Sequence, residues 1–125
     1  KALVLGTGGA SKAIIAALND MTIAHILVSR TSGEGQITYD QLDKSIIESH
    51  QLIVNTTPLG MYPHVETAPK IPYQYLSPQH HLYDLVYNPE ETQFLEKGAL
   101  KGAQVKNGLE MLHLQAEKSW EIWHS

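Results

Sequence analysis

Three short stretches carry residue types suited to gripping a phosphorylated nucleotide. The first is Gly6-Thr7-Gly8-Gly9-Ala10. Glycines in a strand-to-helix turn let backbone N–H groups and a helix N-terminus come up against a pyrophosphate, which any Cβ would hold away. The second is Ser29-Arg30-Thr31, at the distance past the glycines where dinucleotide folds read the adenosine ribose. An acidic residue there would bond the 2′-hydroxyl of NAD. An arginine fork flanked by two hydroxyls suits a 2′-phosphate instead, because guanidinium takes phosphate through paired, charge-assisted hydrogen bonds. This favours NADP. The third is Asn55-Thr56-Thr57-Pro58-Leu59-Gly60-Met61, where the Thr56 and Thr57 hydroxyls suit a ribose or the phosphate on the nicotinamide side.

Two further stretches belong to the same pattern. Asp84-Leu85-Val86-Tyr87-Asn88-Pro89 offers the Tyr87 phenol at the end of an apolar run. Asn107-Gly108-Leu109-Glu110-Met111 opens a helical pattern in which Gly108 and Gln115, seven apart, fall almost on one face. A bare Gly108 backbone can abut a flat ring, and Gln115 offers an amide further along. Four of the five also have a plainer reading: a ligand-free turn at the glycines, a solvated Arg30, a structural turn at 55–61, an exposed Gln115.

Other chemistries fit less well. In the phosphate loop of nucleotide hydrolases, the position five past Gly6 is glycine and the residue after the lysine is Ser or Thr; here they are Ser11 and Ala13, around Lys12. The seven histidines show no metal-ligand spacing, and most are expected at the surface. There is no cysteine and no G-x-S-x-G, and no Tyr has Lys four residues later.

The elements that must position these residues read as strands alternating with helices. Ala2-Leu3-Val4-Leu5 is a buried strand and Ala13 to Leu18 a helix on a sheet. Strands follow at Ile26-Leu27-Val28, Gln36-Ile37-Thr38, Gln51 to Val54, His81 to Leu85 and Gln104-Val105-Lys106. Helices are expected over Tyr39 to Ser49, around Thr92 to Leu100, and from Leu109 to Trp123, where Trp120 and Trp123 close the core. The link Thr31 to Gly35 is too short for a crossover helix. The stretch from Thr56 to Gln79 holds Pro58, Pro63, Pro69, Pro72 and Pro78, and its distal part reads as a rigid surface connection. The expected result is a three-layer, doubly wound α/β domain around a mainly parallel sheet of about six strands, in order 3-2-1-4-5-6 or a close variant.

Composition agrees. The 125 residues suit one domain. A net charge of −4 without a basic run argues against a nucleic-acid surface, and no apolar stretch reaches membrane-spanning length. A cytoplasmic protein with no membrane or nucleic-acid partner is the expectation.

Together the five stretches, in this order and over nearly the whole chain, resemble the C-terminal, NADP-binding, Rossmann-like domain of the shikimate dehydrogenase family. The resemblance implies a reversible NADPH-dependent reduction of 3-dehydroshikimate to shikimate, in a cleft between two domains. By match, Gly6, Thr7, Gly8, Gly9 and Ala10 would bind pyrophosphate, and Ser29, Arg30 and Thr31 the adenosine end. Thr56 and Thr57, with Leu85, Gly108 and Met111, would line the nicotinamide side. Tyr87 and Gln115 would reach the substrate. The family's catalytic Lys and Asp belong to an N-terminal domain, so residues 1–125 are expected to be the cofactor half of a longer two-domain enzyme, with no catalytic residue and no metal of their own and with a homodimer as the complete form. Glu34 stands where the family often carries a second basic residue. Two other functions fit the same residues: a relative acting on quinate with NAD, and a nucleotide-sensing module without catalysis.

Overall fold

The computed structural model describes residues 1–60, 63–86 and 91–107. Six parallel strands form one sheet: β1 (Ala2–Leu5), β2 (His25–Ser29), β3 (Gln36–Thr38), β4 (Leu52–Asn55), β5 (His81–Asp84) and β6 (Gln104–Asn107), in the order β3-β2-β1-β4-β5-β6. Three helices lie among the described residues: α1 (Gly9–Asp20), α2 (Lys44–Ser49) and α3 (Gln93–Leu100). None is long and apolar enough to cross a membrane.

A central parallel strand is covered on both faces, so it reads as an unbroken apolar run. Alternation then divides its residues between two cores. Leu3 and Leu5 join Val28, Ile47, Ile53, Leu82, Phe94 and Leu95 on the side of α2 and α3. Ala2 and Val4 join Ile14, Leu18, Val54 and Tyr83 on the side of α1. Ser11, Ile14 and Leu18, the buried residues of α1, share one face at helical spacing.

The strand order is the expected one, and the link from β2 to β3 carries no helix. The register explains how six residues suffice. β3 begins opposite Leu27, so the chain descends only two residues from the end of β2, about 7 Å. The face that a crossover helix would have covered is correspondingly polar. Ile26, Val28 and Ile37 turn to the other core, which leaves Gln36 and Thr38 on the uncovered side.

Two expectations are corrected. The single helix over Tyr39 to Ser49 is broken into one 3₁₀ turn, Tyr39–Gln41, and α2. Asp43 causes the break: its extended backbone and its carboxylate, which accepts from Ile46 N–H at 2.9 Å, start α2 afresh, while Leu42 dips into the core. The distal proline-rich segment is more than a surface connection. It puts Ile71 and Leu76 into the core and lays Tyr73 edge-on to Phe94 at 6.4 Å, with Lys97 Nζ 5.1 Å from the Tyr73 ring centre. In effect it substitutes for a helix between β4 and β5. The helix expected over Leu109 to Trp123, with Trp120 and Trp123, lies outside the described residues.

Gly98 is where α3 seats on the sheet. A Cβ there would collide with Leu82 Cδ2 and come 3.5 Å from Val105 Cγ1. Alanine in a helix is worth about 1 kcal/mol over glycine, but overpacking a filled core costs about 1–3 kcal/mol. Gly98→Ala is therefore expected to lower stability by roughly 1 kcal/mol in urea denaturation. A more stable variant would mean that Leu82 has room to turn aside.

Candidate functional site

The ends of β1, β2, β3 and β4 surround a cleft of about 390 Å³ at the carboxyl edge of the sheet. Gly6, Thr7 and Gly8 enter it from β1, Ser29 and Arg30 from β2, and Thr56 to Leu59 from β4. This is the edge, and the switch point between outward-running neighbours, where open α/β sheets hold ligands.

The glycines divide by cause. Gly6 has φ +106°, and a Cβ on it would stand 2.7 Å from Thr56 Oγ1, so the fold itself requires glycine there. Gly8 and Gly9 have no such constraint: a Cβ on either would meet open space within 4 Å. Gly8 lines the cleft just ahead of the α1 N-terminus. That terminus has no side-chain cap and no acidic residue in its first turn. Its positive end is left for an anion. Ser11, at the third position of the glycine pattern, is buried and donates to Gly8 O at 2.6 Å, which fixes the turn.

Arg30 is exposed, and among the described residues no carboxylate lies within ion-pairing distance of it. Tyr39, which follows β3 directly, forms another wall of the cleft. Burial pushes its phenol above the ordinary value, and the Arg30 charge draws it part of the way back. Sequence reading passed over Tyr39 because it sits in a predicted helix. Its place just after a parallel strand was the available signal.

The hydroxyls of Thr56 and Thr57 have structural partners first. Thr56 Oγ1 donates to Leu5 O at 2.6 Å, clasping the β4 loop to the end of β1. Thr57 Oγ1 donates to Asn55 Oδ1 at 2.6 Å. Toward a ligand both retain acceptor lone pairs. Thr31, Gly9, Ala10 and Leu85 stand outside the cleft lining. Thr31 is exposed, its carbonyl accepting from Gln36 Nε2 at 2.7 Å. Gly9 and Ala10 begin α1. Leu85 packs with the α1-side core and donates its N–H to Asn55 O at 3.1 Å. Tyr87, Gly108, Met111 and Gln115 lie outside the described residues, as does Met61.

Behind the cleft sits a buried polar cluster. Asn55 and Asp84 are the last residues of β4 and β5, opposite one another in register, and both are fully buried. Asp84 Oδ1 accepts from Asn55 Nδ2 at 3.1 Å and from Val86 N–H at 2.9 Å, and Oδ2 accepts from Thr92 Oγ1 at 2.6 Å. Thr92 in turn caps α3, accepting from Leu95 N–H at 3.3 Å. Burial raises the Asp84 carboxyl from 3.8 to about 6, against the three donors that pull it down.

No group of side chains able to hold a metal occurs among the described residues. At the opposite edge of the sheet, His50 and His80 are buried rather than at the surface. His80 Nε2 bonds Ile47 O at 2.7 Å and its Nδ1 receives Ser77 N–H at 3.1 Å, so its ring is a structural plug.

Fold and cleft together define a dinucleotide-fold domain of the Rossmann class. No protein-family model matches the chain. The NADP-dependent shikimate dehydrogenase of Methanococcus maripaludis is 37% identical across 97% of this chain and 48% of its own length. Among solved structures, shikimate dehydrogenase 1 of Peptoclostridium difficile is 41% identical with a TM-score of 0.74, covering 98% of this chain and 46% of that one. The Thermus thermophilus shikimate 5-dehydrogenase in complex with NADP(H) and shikimate is 28% identical with a TM-score of 0.75, covering 98% and 48%. The chain is a homologue of the shikimate dehydrogenases, matched along nearly all of its own length and over about half of theirs.

The Asp84 titration follows from its surroundings. Its folded value near 6 lies above the 3.8 of the ordinary carboxyl. The folded protein thus holds a proton that the unfolded chain has released between about pH 4 and 6. This contribution to stability is full below that window and lost as pH rises through it, by about 3 kcal/mol at most. Carbon-13 NMR of the Asp84 carboxyl is expected to show a midpoint near 6. A midpoint below 4 would show that the three donors outweigh burial.

Proposed function

We propose that this chain is the NADP-binding part of a cytoplasmic enzyme that interconverts 3-dehydroshikimate and shikimate. The observation that carries the reading is the combination at the cleft: open space before Gly8, an uncapped α1 N-terminus, and Arg30 without an ion-pair partner among the described residues. These are donors and positive ends awaiting phosphate, and the residues present fit a dinucleotide. The names of the relatives support shikimate as substrate over quinate and over a sensing module without catalysis.

In this reading the backbone N–H groups of Thr7 to Ala10 hold the pyrophosphate beside Gly6, whose own N–H donates to Val28 O at 2.8 Å, and Ser29, Arg30 and Thr31 hold the phosphorylated adenosine ribose. Thr56 and Thr57 flank the nicotinamide side, with Leu85, Gly108 and Met111 assigned there by the family match. Tyr87 and Gln115 orient the substrate. When bound, the nicotinamide supplies or accepts the hydride. The proton for the alkoxide comes from a Lys and an Asp of a partner domain, since a proton donor must stand beside the developing charge. The chain spans about half the length of the curated relatives it matches. The complete enzyme is proposed to pair this domain with a second one and to form a homodimer.

A charge-assisted hydrogen bond contributes about 1.5–3 kcal/mol. Arg30→Ala is therefore expected to weaken NADP binding roughly ten- to hundredfold and to leave NAD almost unchanged, by titration calorimetry with both cofactors. Equal losses would show that Arg30 does not meet a 2′-phosphate. In the complete protein, Tyr87→Phe and Gln115→Ala are expected to raise the KM for shikimate more than that for NADP. Unchanged substrate kinetics in both would move the substrate cleft elsewhere.

A further inference from the structure

We infer that Asp84 is a positioning residue for the cleft: its carboxylate, acting through the amide of Asn55, sets the wall formed by Thr56 to Leu59. The inference rests on the dinucleotide reading of that cleft.

An asparagine amide can point either way, and only its partners decide. Here Asp84 Oδ1 receives Asn55 Nδ2 at 3.1 Å, which forces Asn55 Oδ1 toward the β4 loop. There it accepts two bonds from one residue, the Thr57 N–H at 3.0 Å and the Thr57 hydroxyl at 2.6 Å. The hydroxyl so oriented receives the N–H of Leu59 at 3.3 Å. Each link turns an acceptor toward a donor of the loop, and the order of the chain is Asp84, Asn55, Thr57, Leu59. Thr57 and Leu59 line the cleft; Asp84 and Asn55 do not. With the amide reversed, Nδ2 would face the Thr57 N–H, donor against donor, and the wall would have to move.

The other bonds of Asp84 have separate work. Oδ2 holds Thr92 and the start of α3. An asparagine at 84 keeps this division: its oxygen can stay on Asn55 and Val86 while its nitrogen turns to Thr92 Oγ1, whose hydroxyl rotates to accept. Asp84→Asn therefore preserves the route to the cleft, and Asp84→Ala destroys it. A residue that merely stabilised the fold would lower the melting temperature in Asp84→Ala without changing affinity well below that temperature.

The experiment measures the dissociation constant of NADPH at low temperature for the unmodified chain, Asp84→Asn, Asp84→Ala, Asn55→Ala and the double variant Asp84→Ala/Asn55→Ala, with hydrogen exchange of the Thr57 amide. Asp84→Ala is expected to weaken binding at least tenfold and to speed Thr57 exchange by a similar factor. Asp84→Asn should stay within about threefold of the unmodified chain. The double variant should be no worse than Asn55→Ala alone, as coupled residues behave. Equal binding by Asp84→Ala, or additive losses in the double variant, would overturn the inference. If Asp84→Ala does not fold, the unmodified protein still decides: the Thr57 amide shift should follow the same pH midpoint as the Asp84 carboxyl, and a flat Thr57 signal would refute the link. Tyr73, whose phenol donates to Pro69 O at 2.7 Å, is raised by burial and then by the Asp84 charge, and stays protonated over that range. If the unmodified chain binds no dinucleotide, the functional reading fails, and Thr57 exchange alone tests the positioning.

Discussion

A single buried carboxylate holds the ligand edge of this sheet together. Taking Asp84 out of water is costly, and the cost is tolerable only because three donors converge on it. Those donors come from the end of β4, from the turn after β5 and from the cap of α3. The ends of neighbouring strands are thereby tied to the start of a helix. Gly60 adds a further tie to the same corner: its N–H donates to Thr67 Oγ1 at 2.7 Å, and its left-handed backbone lies against Thr92. Removing any one donor would leave a charge buried and short of a partner.

The cleft itself is a consequence of strand order. β1 is flanked by β2 on one side and β4 on the other, and the chain leaves it toward β2 and returns only later to β4. The loops after β1 and β4 must therefore part, and the space between them is the cleft. Thr56 then limits how far they part, because it holds Leu5 O with both its N–H and its hydroxyl. Gly6 is the residue that makes this approach sterically feasible.

Most of the architecture was legible because parallel strands covered on both faces announce themselves as short apolar runs, as Ala2 to Leu5 and Leu52 to Val54 do. The glycine pattern and Arg30 marked the cleft in the same local way. What was not legible depended on contacts between distant residues. Nothing near Asp84 in the chain shows that Asn55 will stand opposite it. The Thr56 and Thr57 hydroxyls look like ligand groups until their partners at Leu5 and Asn55 are seen. Tyr39 was hidden by a helical pattern that Asp43 interrupts. The proline-rich segment looked like a surface connection because its buried residues, Pro69, Ile71 and Leu76, have no periodicity to betray them.

The missing helix between β2 and β3 has a consequence for how this chain meets its own copies. An edge strand with bare peptide groups is a template on which another chain can extend the sheet. β3 is that edge, and it is only three residues long. The short link folds back over it: Gly33 makes an antiparallel bridge with Gln36, and the Gln36 side chain reaches Thr31 O. The connection that is too short to form a helix thus serves as a hem, leaving a stray strand little free backbone on which to nucleate aggregation.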